Sequence, residues 1–196
     1  SERLIRVLGF PINNKFLELP DNAATIKERL GLDPDKRTVL VTAGGQGIGI
    51  VYFFVEAMSL LNLPLNVIIV SGKNKTTKKR MDRLVGTSKR TNILSLRLDV
   101  PTSLSMRTNI LSLGYVTNMN ELVAACDVVA GKAGASTAME SFFLNKPVVF
   151  TEWATFNDRY IINFVLDYKI GWYCPTLFSF NRAMKDIALD QGLAER

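Results

Sequence analysis

Short apolar runs that alternate with segments of helical length constrain the fold of this sequence more than any other feature. Residues 38–42 and 66–70 form two such runs, and each is followed by a segment with helical periodicity. Runs that are apolar on both faces are typical of strands in a parallel sheet with helices on both sides. Single helices between the strands predict right-handed βαβ units, and therefore an α/β fold with a Rossmann-like, doubly wound parallel sheet.

The other predicted elements continue the same alternation. Further strands are predicted at residues 109–113, 128–130 and 148–150, with a short one near Trp172. Helices are predicted at residues 50–61, 75–84, 118–125, 136–144 and 158–167, and from about residue 181 onward. Asn118 and Glu121 have the spacing of a capping box, which marks the start of one of these helices.

The heptapeptide RTNILSL occurs twice, at residues 90–96 and 107–113. Only the second copy runs directly into Gly114, so it is predicted to form the sheet strand. The first copy then belongs to a tandem duplication, with residues 91–107 as an insertion that is either a looped-out surface segment or a defect in the recorded sequence. Deleting residues 91–107 is therefore expected to leave the fold and ligand binding intact.

The composition indicates one globular domain and excludes several kinds of catalytic site. A chain of 196 residues, 47% hydrophobic and 21% charged, is expected to form a single domain over residues 1–196. It contains no histidine, which excludes a Ser-His-Asp triad, a Cys-His pair and a His-ligated zinc site. Cys126 and Cys174 form no C-x-x-C motif. Neither a signal peptide nor a membrane span is predicted.

The basic residues are concentrated in one segment. The chain has 24 Lys and Arg against 18 Asp and Glu, a net charge of +6. Ten of the basic residues but only two of the acidic ones lie in residues 73–107. This segment is either a solvated face or a surface attracted to an anionic membrane. It contains no aromatic residue, which argues against a stacking platform for single-stranded nucleic acid.

A glycine-rich loop, AGGQGIG, occupies residues 43–49 between a predicted strand and a predicted helix. Glycines let a ligand approach the backbone closely, and the amides that open the next helix favour a phosphate. Ile50 breaks both the dinucleotide fingerprint and the Walker A pattern. The loop therefore predicts phosphate binding of another kind, with a tight strand-to-helix turn as the alternative.

A second small-residue loop, GKAGAST at residues 131–137, also joins a strand to a helix. Ser136 and Thr137 offer hydroxyls and amides at a helix start, where an anion is favoured. Glu140 follows about one turn later and can accept hydrogen bonds from a vicinal diol such as a ribose. The alternative is an ordinary cap. Two such loops at one end of a parallel sheet favour a shared ligand site.

Three segments together resemble a known family: AGGQGIG, the stretch GYVTNMNELVAACDVVAGKAGASTAMESFFLNKPVVF, and IRVLGFPI near the start. They resemble glycosyltransferases of the monogalactosyldiacylglycerol synthase type, to which the bacterial peptidoglycan glucosaminyltransferase is similar. The resemblance covers residues 6–175 and implies one half of a GT-B glycosyltransferase of family 28. Such enzymes have an acceptor domain followed by a donor domain. This chain resembles the donor domain, and the N-terminal acceptor domain is expected to be absent from it.

The resemblance also implies which residues bind the donor. The expected donor site consists of Gly44, Gly45, Gln46, Gly47, Gly49, Tyr115, Val116, Gly134, Ala135, Ser136, Thr137, Glu140, Asn157 and Asp158. The glycine loop, Ser136 and Thr137 are expected near the diphosphate, and the backbone near Tyr115 at the uracil edge. Glu140 is expected on the ribose hydroxyls. In the family a Gln-Glu pair contacts the sugar, and the matching Asn157 and Asp158 here are each one methylene shorter.

The function implied by the resemblance is transfer of a hexose from a UDP-sugar to a lipid hydroxyl, such as that of diacylglycerol, with inversion. The general base is expected in the acceptor half, so no catalytic residue is named and the isolated half is expected to be inactive. The Asp33-Pro34-Asp35 segment superficially resembles the metal-binding D-x-D motif of another glycosyltransferase class, but it contains a proline and precedes the first strand, so a turn is predicted. No metal is therefore expected, and no cofactor beyond the donor.

Two other functions are compatible with the sequence. One is a separate, non-catalytic donor subunit that works with an acceptor domain on a partner chain. The other is a module that binds an anionic surface. The expected partners of the favoured function are a UDP-sugar, a lipid acceptor, an anionic membrane surface and an acceptor domain in cis or in trans, with no nucleic acid. The expected location is the cytoplasmic face of a membrane, as a peripheral protein, or the cytoplasm.

Overall fold

Six parallel strands form one sheet in this computed structural model, which describes residues 9–18, 21–97 and 108–189 and, for residues 87–97, the backbone. The strands are β1 (Arg37–Thr42), β2 (Leu65–Val70), β3 (Asn109–Leu113), β4 (Val128–Ala133), β5 (Val148–Trp153) and β6 (Gly171–Tyr173). The helices are α1 (Ala23–Arg29), α2 (Val51–Met58), α3 (Lys75–Arg97), α4 (Met119–Ala125), α5 (Ala135–Phe143), α6 (Phe156–Asp167) and α7 (Leu177–Ala188). Short 3₁₀ turns lie at Asn14–Phe16 and Ser59–Leu61.

The strand order is β3-β2-β1-β4-β5-β6, and every neighbouring pair is parallel. The chain builds outward from β1 to β3, then crosses back to place β4 on the other side of β1. The strand order therefore reverses between β1 and β4. In open α/β sheets, ligands bind in the crevice outside the carboxyl ends of the strands at such a switch point. The predicted doubly wound parallel sheet is confirmed.

The strands are buried on both faces because helices cover both. Val39 and Val41 of β1 face one core, which α2 and α7 cover, while Leu40 between them faces a second core covered by α4, α5 and α6. This two-sided burial accounts for the apolar runs without polar alternation. The sheet, packed on both faces, therefore positions the loops that follow the carboxyl ends of its strands.

The predicted elements agree with the observed ones except in three places. Neither α1 nor the turn at Asn14–Phe16 is predicted. The helix predicted at residues 75–84 continues to Arg97. At the start of α4, Asn118 makes no capping bond to the backbone; its Nδ2 instead donates to Glu121 Oε2 at 3.1 Å, so the predicted capping box is wrong although the helix begins there.

The two copies of RTNILSL adopt different secondary structures. The backbone of the first copy continues α3, whereas the second copy forms β3. The same seven residues therefore follow their surroundings rather than an intrinsic preference, since β3 pairs with β2 along its whole length. The insertion predicted at residues 91–107 stays a prediction, because residues 98–107 lie outside the described residues.

Candidate functional site

The predicted site residues lie in loops at the carboxyl edge of the sheet. The glycine loop follows β1, Tyr115 and Val116 follow β3, the GAST segment follows β4, and Asn157 and Asp158 open α6 after β5. The glycine loop and the GAST segment flank the crevice at the switch point. Tyr115 lies on the far side of β2 from this crevice, three strand positions from β4.

The glycine loop packs against the loop between β2 and α3 and against the first turn of α3. Gly47 has φ of +59°, and a Cβ added there would lie 1.8 Å from the carbonyl oxygen of Ser71. The Gly47 carbonyl accepts two hydrogen bonds, from Asn74 Nδ2 at 3.3 Å and from Thr77 Oγ1 at 3.1 Å. Gly47 is therefore required for its conformation and for this close approach.

The upper part of the same loop faces solvent. Gly44, Gly45 and Gln46 are exposed, and the Lys73 amide donates to the Gly45 carbonyl at 2.9 Å. A ligand in the crevice can therefore contact residues 44–46, while hydrogen bonds to Gly47 hold the other side of the loop. The use of this loop for close ligand approach stays a prediction.

The start of α2 differs from the prediction for an open phosphate site. Ile50 is the N-cap residue, and its apolar side chain cannot accept a hydrogen bond from the helix. Its own amide donates to Glu152 Oε1 at 2.7 Å. A Cβ on Gly49 would lie 2.7 Å from the same oxygen. A carboxylate of the protein therefore already contacts the amide at this helix start.

The start of α5 is built differently. Its N-cap is Gly134, which has no side chain, and the extended φ of −141° at this position is open to any residue. Ser136 is exposed and Thr137 is half-buried in the first turn, next to Ala135. The first amides of a helix carry the positive end of its dipole. This helix start therefore combines the exposed side chain of Ser136 with a partial positive charge.

Glu140 lies on α5 one turn beyond these residues. Its side chain is half-buried, and burial raises the pKa of its carboxyl above the ordinary value. Hydrogen bonds from a diol to the ionised carboxylate would lower that pKa again. Glu140 is therefore a half-buried carboxyl near the start of α5, and its contact with ribose hydroxyls stays a prediction.

The loop after β3 presents an aromatic ring and a cavity. Tyr115 is 61% exposed, and the Lys73 ammonium lies 5.5 Å from the centre of its ring, within cation–π range. The residues that follow Val116 help to form a cavity of about 720 Å³, which is lined by Asn14, Lys15, Leu17, Glu18, Thr117, Asn118, Asn120 and Glu121. Lys15 contacts this loop by donating from Nζ to the Thr117 carbonyl at 3.1 Å.

The two residues expected at the sugar differ in their availability. Asn157 is exposed. Asp158 is the third residue of α6, and its Oδ2 accepts from the amides of Ala154 at 3.0 Å and Thr155 at 2.9 Å, completing a capping box. One oxygen of Asp158 is therefore used in the helix cap, a role that its acidic position in the first turn could have indicated.

Four lysines of the basic segment at residues 73–107 line the edge beside Tyr115. A cavity of about 480 Å³ lies there, with Lys73, Lys75, Lys78 and Lys79 among its lining residues. Its floor includes Gly72, whose φ of +55° sharpens the turn between β2 and α3. The Ser-Gly-Lys-Asn segment after an apolar strand was a signal for a third loop at this edge.

Within the described residues, no group of three or more His, Cys, Asp or Glu residues is placed to hold a metal ion. Asp33 and Asp35 form the predicted turn, in which Asp33 Oδ1 accepts from the Asp35 amide at 3.1 Å. This turn precedes β1, at the opposite edge of the sheet from the crevice.

Comparison with known proteins identifies the family of this chain. The family model for the glycosyltransferase family 28 C-terminal domain matches residues 38–159. A probable chloroplastic monogalactosyldiacylglycerol synthase of Glycine max is 25% identical over 191 residues, which are 94% of this chain and 31% of that protein. A processive diacylglycerol β-glucosyltransferase of Staphylococcus aureus is 30% identical over 148 residues, 74% of this chain and 32% of that protein. The chain thus spans about a third of the length of these curated relatives.

Solved structures share the fold. A crystal structure of Acinetobacter baumannii MurG aligns with a TM-score of 0.57 and 16% identity, covering 94% of this chain and 52% of that one. A co-structure of Staphylococcus aureus MnaA with UDP aligns with a TM-score of 0.54 and 14% identity, covering 86% and 40%. At these identities the likeness concerns the fold, and it supports one half of a GT-B architecture.

Proposed function

Because the chain belongs to glycosyltransferase family 28, as its C-terminal domain, we propose that it binds the UDP-sugar donor of an inverting transferase that glycosylates a lipid hydroxyl. The observation that carries this proposal is the asymmetric crevice at the switch point. One wall is the fixed glycine loop, and the other is the open start of α5 with Glu140 behind it. Diphosphate and ribose are the chemical groups that these two features complement.

The proposed pose follows the order of these groups along the edge. The diphosphate lies at the first amides of α5, with the Ser136 hydroxyl as a further donor. The ribose hydroxyls donate to Glu140. The uracil edge lies at the backbone near Tyr115 and Val116, beside the cavity next to Thr117. Asn157, exposed in the first turn of α6 after β5, is proposed to contact the sugar.

The chemistry asked of this domain is stabilisation of the leaving group. When the lipid oxygen bonds to the anomeric carbon and the bond to the β-phosphate breaks, negative charge develops on UDP. Amides at a helix start, oriented before the reaction, stabilise such charge without reorganisation. The hydroxyl proton needs a base, which we place in an acceptor domain in cis or in trans. Residues 1–196 alone are therefore expected to bind the donor without turning over.

The acceptor is proposed to be a membrane lipid such as diacylglycerol. The Staphylococcus aureus relative is named for that acceptor. Lys73, Lys75 and Lys79 are exposed on the edge beside Tyr115, where they can approach an anionic membrane surface. Within the part of the chain that the structure describes, no helix is long and apolar enough to span a bilayer. We propose that these lysines make the contact with the membrane surface.

Calorimetric titration tests the donor proposal. The purified chain is titrated with UDP, UDP-glucose, UDP-galactose and UDP-N-acetylglucosamine, and with GDP and GDP-mannose as controls for the base. We expect saturable binding of the uridine nucleotides and at least tenfold weaker binding of the guanosine ones. Equal binding of UDP and GDP, or no saturable binding of any uridine nucleotide, would contradict the proposal.

A further inference from the structure

The hydrogen bond between Glu152 and Ile50 crosses the switch point. Glu152 lies near the carboxyl end of β5, and Ile50 follows the loop after β1, with β4 between these two strands in the sheet. A register shift between Gly131 and Lys132 of β4 brings Lys132 opposite Glu152. The side chain of Glu152 therefore reaches over the end of β4, into the crevice in which the diphosphate is proposed to lie.

The carboxylate makes the contact that a phosphate makes at a helix start. Its Oε1 accepts from the Ile50 amide at 2.7 Å, within the distance range of a charge-assisted bond. The space beside it is closed, because a Cβ on Gly49 would lie 2.7 Å from Oε1 and 2.8 Å from the Cβ of Ala43. Glycine at position 49 thus leaves room for a carboxylate oxygen and little else.

We propose that Glu152 is an affinity- and specificity-determining residue that competes with the diphosphate of the donor for the start of α2. Its negative charge excludes phosphate oxygens from this helix start and directs them to the start of α5. The inference rests on the proposed donor function, which it deepens by assigning opposite roles to the two helix starts at the switch point.

This role of Glu152 predicts different effects on charged and uncharged ligands. Repulsion by Glu152 acts on the charge of the diphosphate and leaves an uncharged nucleoside unaffected. A carboxylate that served only to cap α2 would act on stability, and would change the affinity for charged and uncharged ligands by the same factor. Comparing UDP with uridine therefore separates the two roles.

The experiment measures binding of uridine, UDP and inorganic pyrophosphate to the full chain and to Glu152→Gln, at low ionic strength. The amide oxygen of glutamine retains an acceptor for the Ile50 amide while removing the charge. Glu28→Gln is the matched control, since it removes one charge from an exposed position on α1. We expect Glu152→Gln to bind UDP and pyrophosphate about three to ten times more tightly, with uridine unchanged and Glu28→Gln like the wild type.

The possible results distinguish the role of Glu152 from the donor function of the chain. If UDP binds equally to the wild type and Glu152→Gln, or if uridine and UDP change by the same factor, the role of Glu152 is overturned and the donor function stands. If neither UDP nor uridine binds either protein, but pyrophosphate binds Glu152→Gln more tightly, the donor function fails and the competition is supported. If none of the three ligands binds either protein, both proposals are overturned.

Discussion

The strands on the two sides of the switch point end in loops of similar composition but different chemistry. On the β1 side, the glycine loop is fixed by Asn74 and Thr77, and the helix start beyond it contacts Glu152. On the β4 side, Gly134 leaves the start of α5 open, and Glu140 follows one turn later. Glycine content alone therefore does not identify a phosphate site, because neighbouring side chains decide whether the amides are accessible.

We propose different roles for the two sides. On the β1 side, hydrogen bonds hold the glycine loop in one conformation, and the surface continues to the lysines beside Tyr115. The β4 side supplies the groups that bind the diphosphate and the ribose. Substitutions on the β1 side should therefore change stability, and substitutions on the β4 side should change ligand binding.

Replacing Gly47 by alanine should cost the most stability at this edge. The added Cβ would clash with the Ser71 carbonyl, and φ of +59° is unfavourable for alanine. We expect a loss of about 2 to 4 kcal/mol in the free energy of unfolding, measured by urea denaturation. Gly45→Ala is the matched control, since its added Cβ would meet no described atom within 4 Å. Equal losses of stability in the two variants would show that the contacts of Gly47 with Ser71, Asn74 and Thr77 do not hold the glycine loop.

Replacing Glu140 by alanine should cost binding rather than stability. Ribose hydroxyls left without an acceptor weaken binding by roughly 1 to 3 kcal/mol, for UDP and uridine alike. Calorimetry with both ligands measures this loss, and Glu28→Ala serves as the control for removal of an exposed carboxylate. If Glu140→Ala weakened UDP binding but not uridine binding, the carboxylate would act near the diphosphate instead of the ribose.

Most of the sheet could be predicted from the sequence because its signal is local. Apolar runs such as residues 66–70 report two-sided burial directly, and small-residue loops report the turns at their ends. The seven-residue repeat shows that local sequence does not always determine secondary structure. Identical residues form part of α3 in one copy and β3 in the other, since pairing with β2 is a property of the assembled sheet.

The chemistry of the site was only partly predictable for the same reason. Both loops at the switch point could be recognised, but the contact from Glu152 to Ile50 depends on a side chain that crosses β4 from a strand about a hundred residues away. Asp158 shows the reverse case. Its family position indicated a sugar contact, whereas its place in the first turn of α6 gives it a capping role.

Replacing Lys75 and Lys79 by alanine tests whether the β1 side also approaches the membrane. Each exposed lysine near an anionic surface contributes about 1 kcal/mol, so the double variant should bind vesicles with 30% anionic lipid roughly tenfold or more weakly. Sedimentation with vesicles at low salt measures the partition. Arg182→Ala with Lys185→Ala on α7 removes the same charge elsewhere. An equal loss for both double variants would reflect net charge and not a defined surface.

The smallest expected effect is a pH dependence of stability at Glu140. Burial raises the pKa of its carboxyl in the folded state above the unfolded value, so the folded protein binds more protons than the unfolded chain between the two values. Stability is therefore fully present below the ordinary glutamate pKa and decreases as pH rises through the raised one. Glu140→Gln has no such ionisation, so its stability relative to the wild type should increase with pH over this window. Because the carboxyl is half-exposed, the change should stay below about 1 kcal/mol. Urea denaturation of both proteins from pH 3.5 to 7 measures it, and saturating UDP should reduce the difference if the ligand binds the ionised carboxylate. A difference that is independent of pH, with or without UDP, would show that Glu140 contributes packing alone and that the β4 side lacks its proposed ribose acceptor.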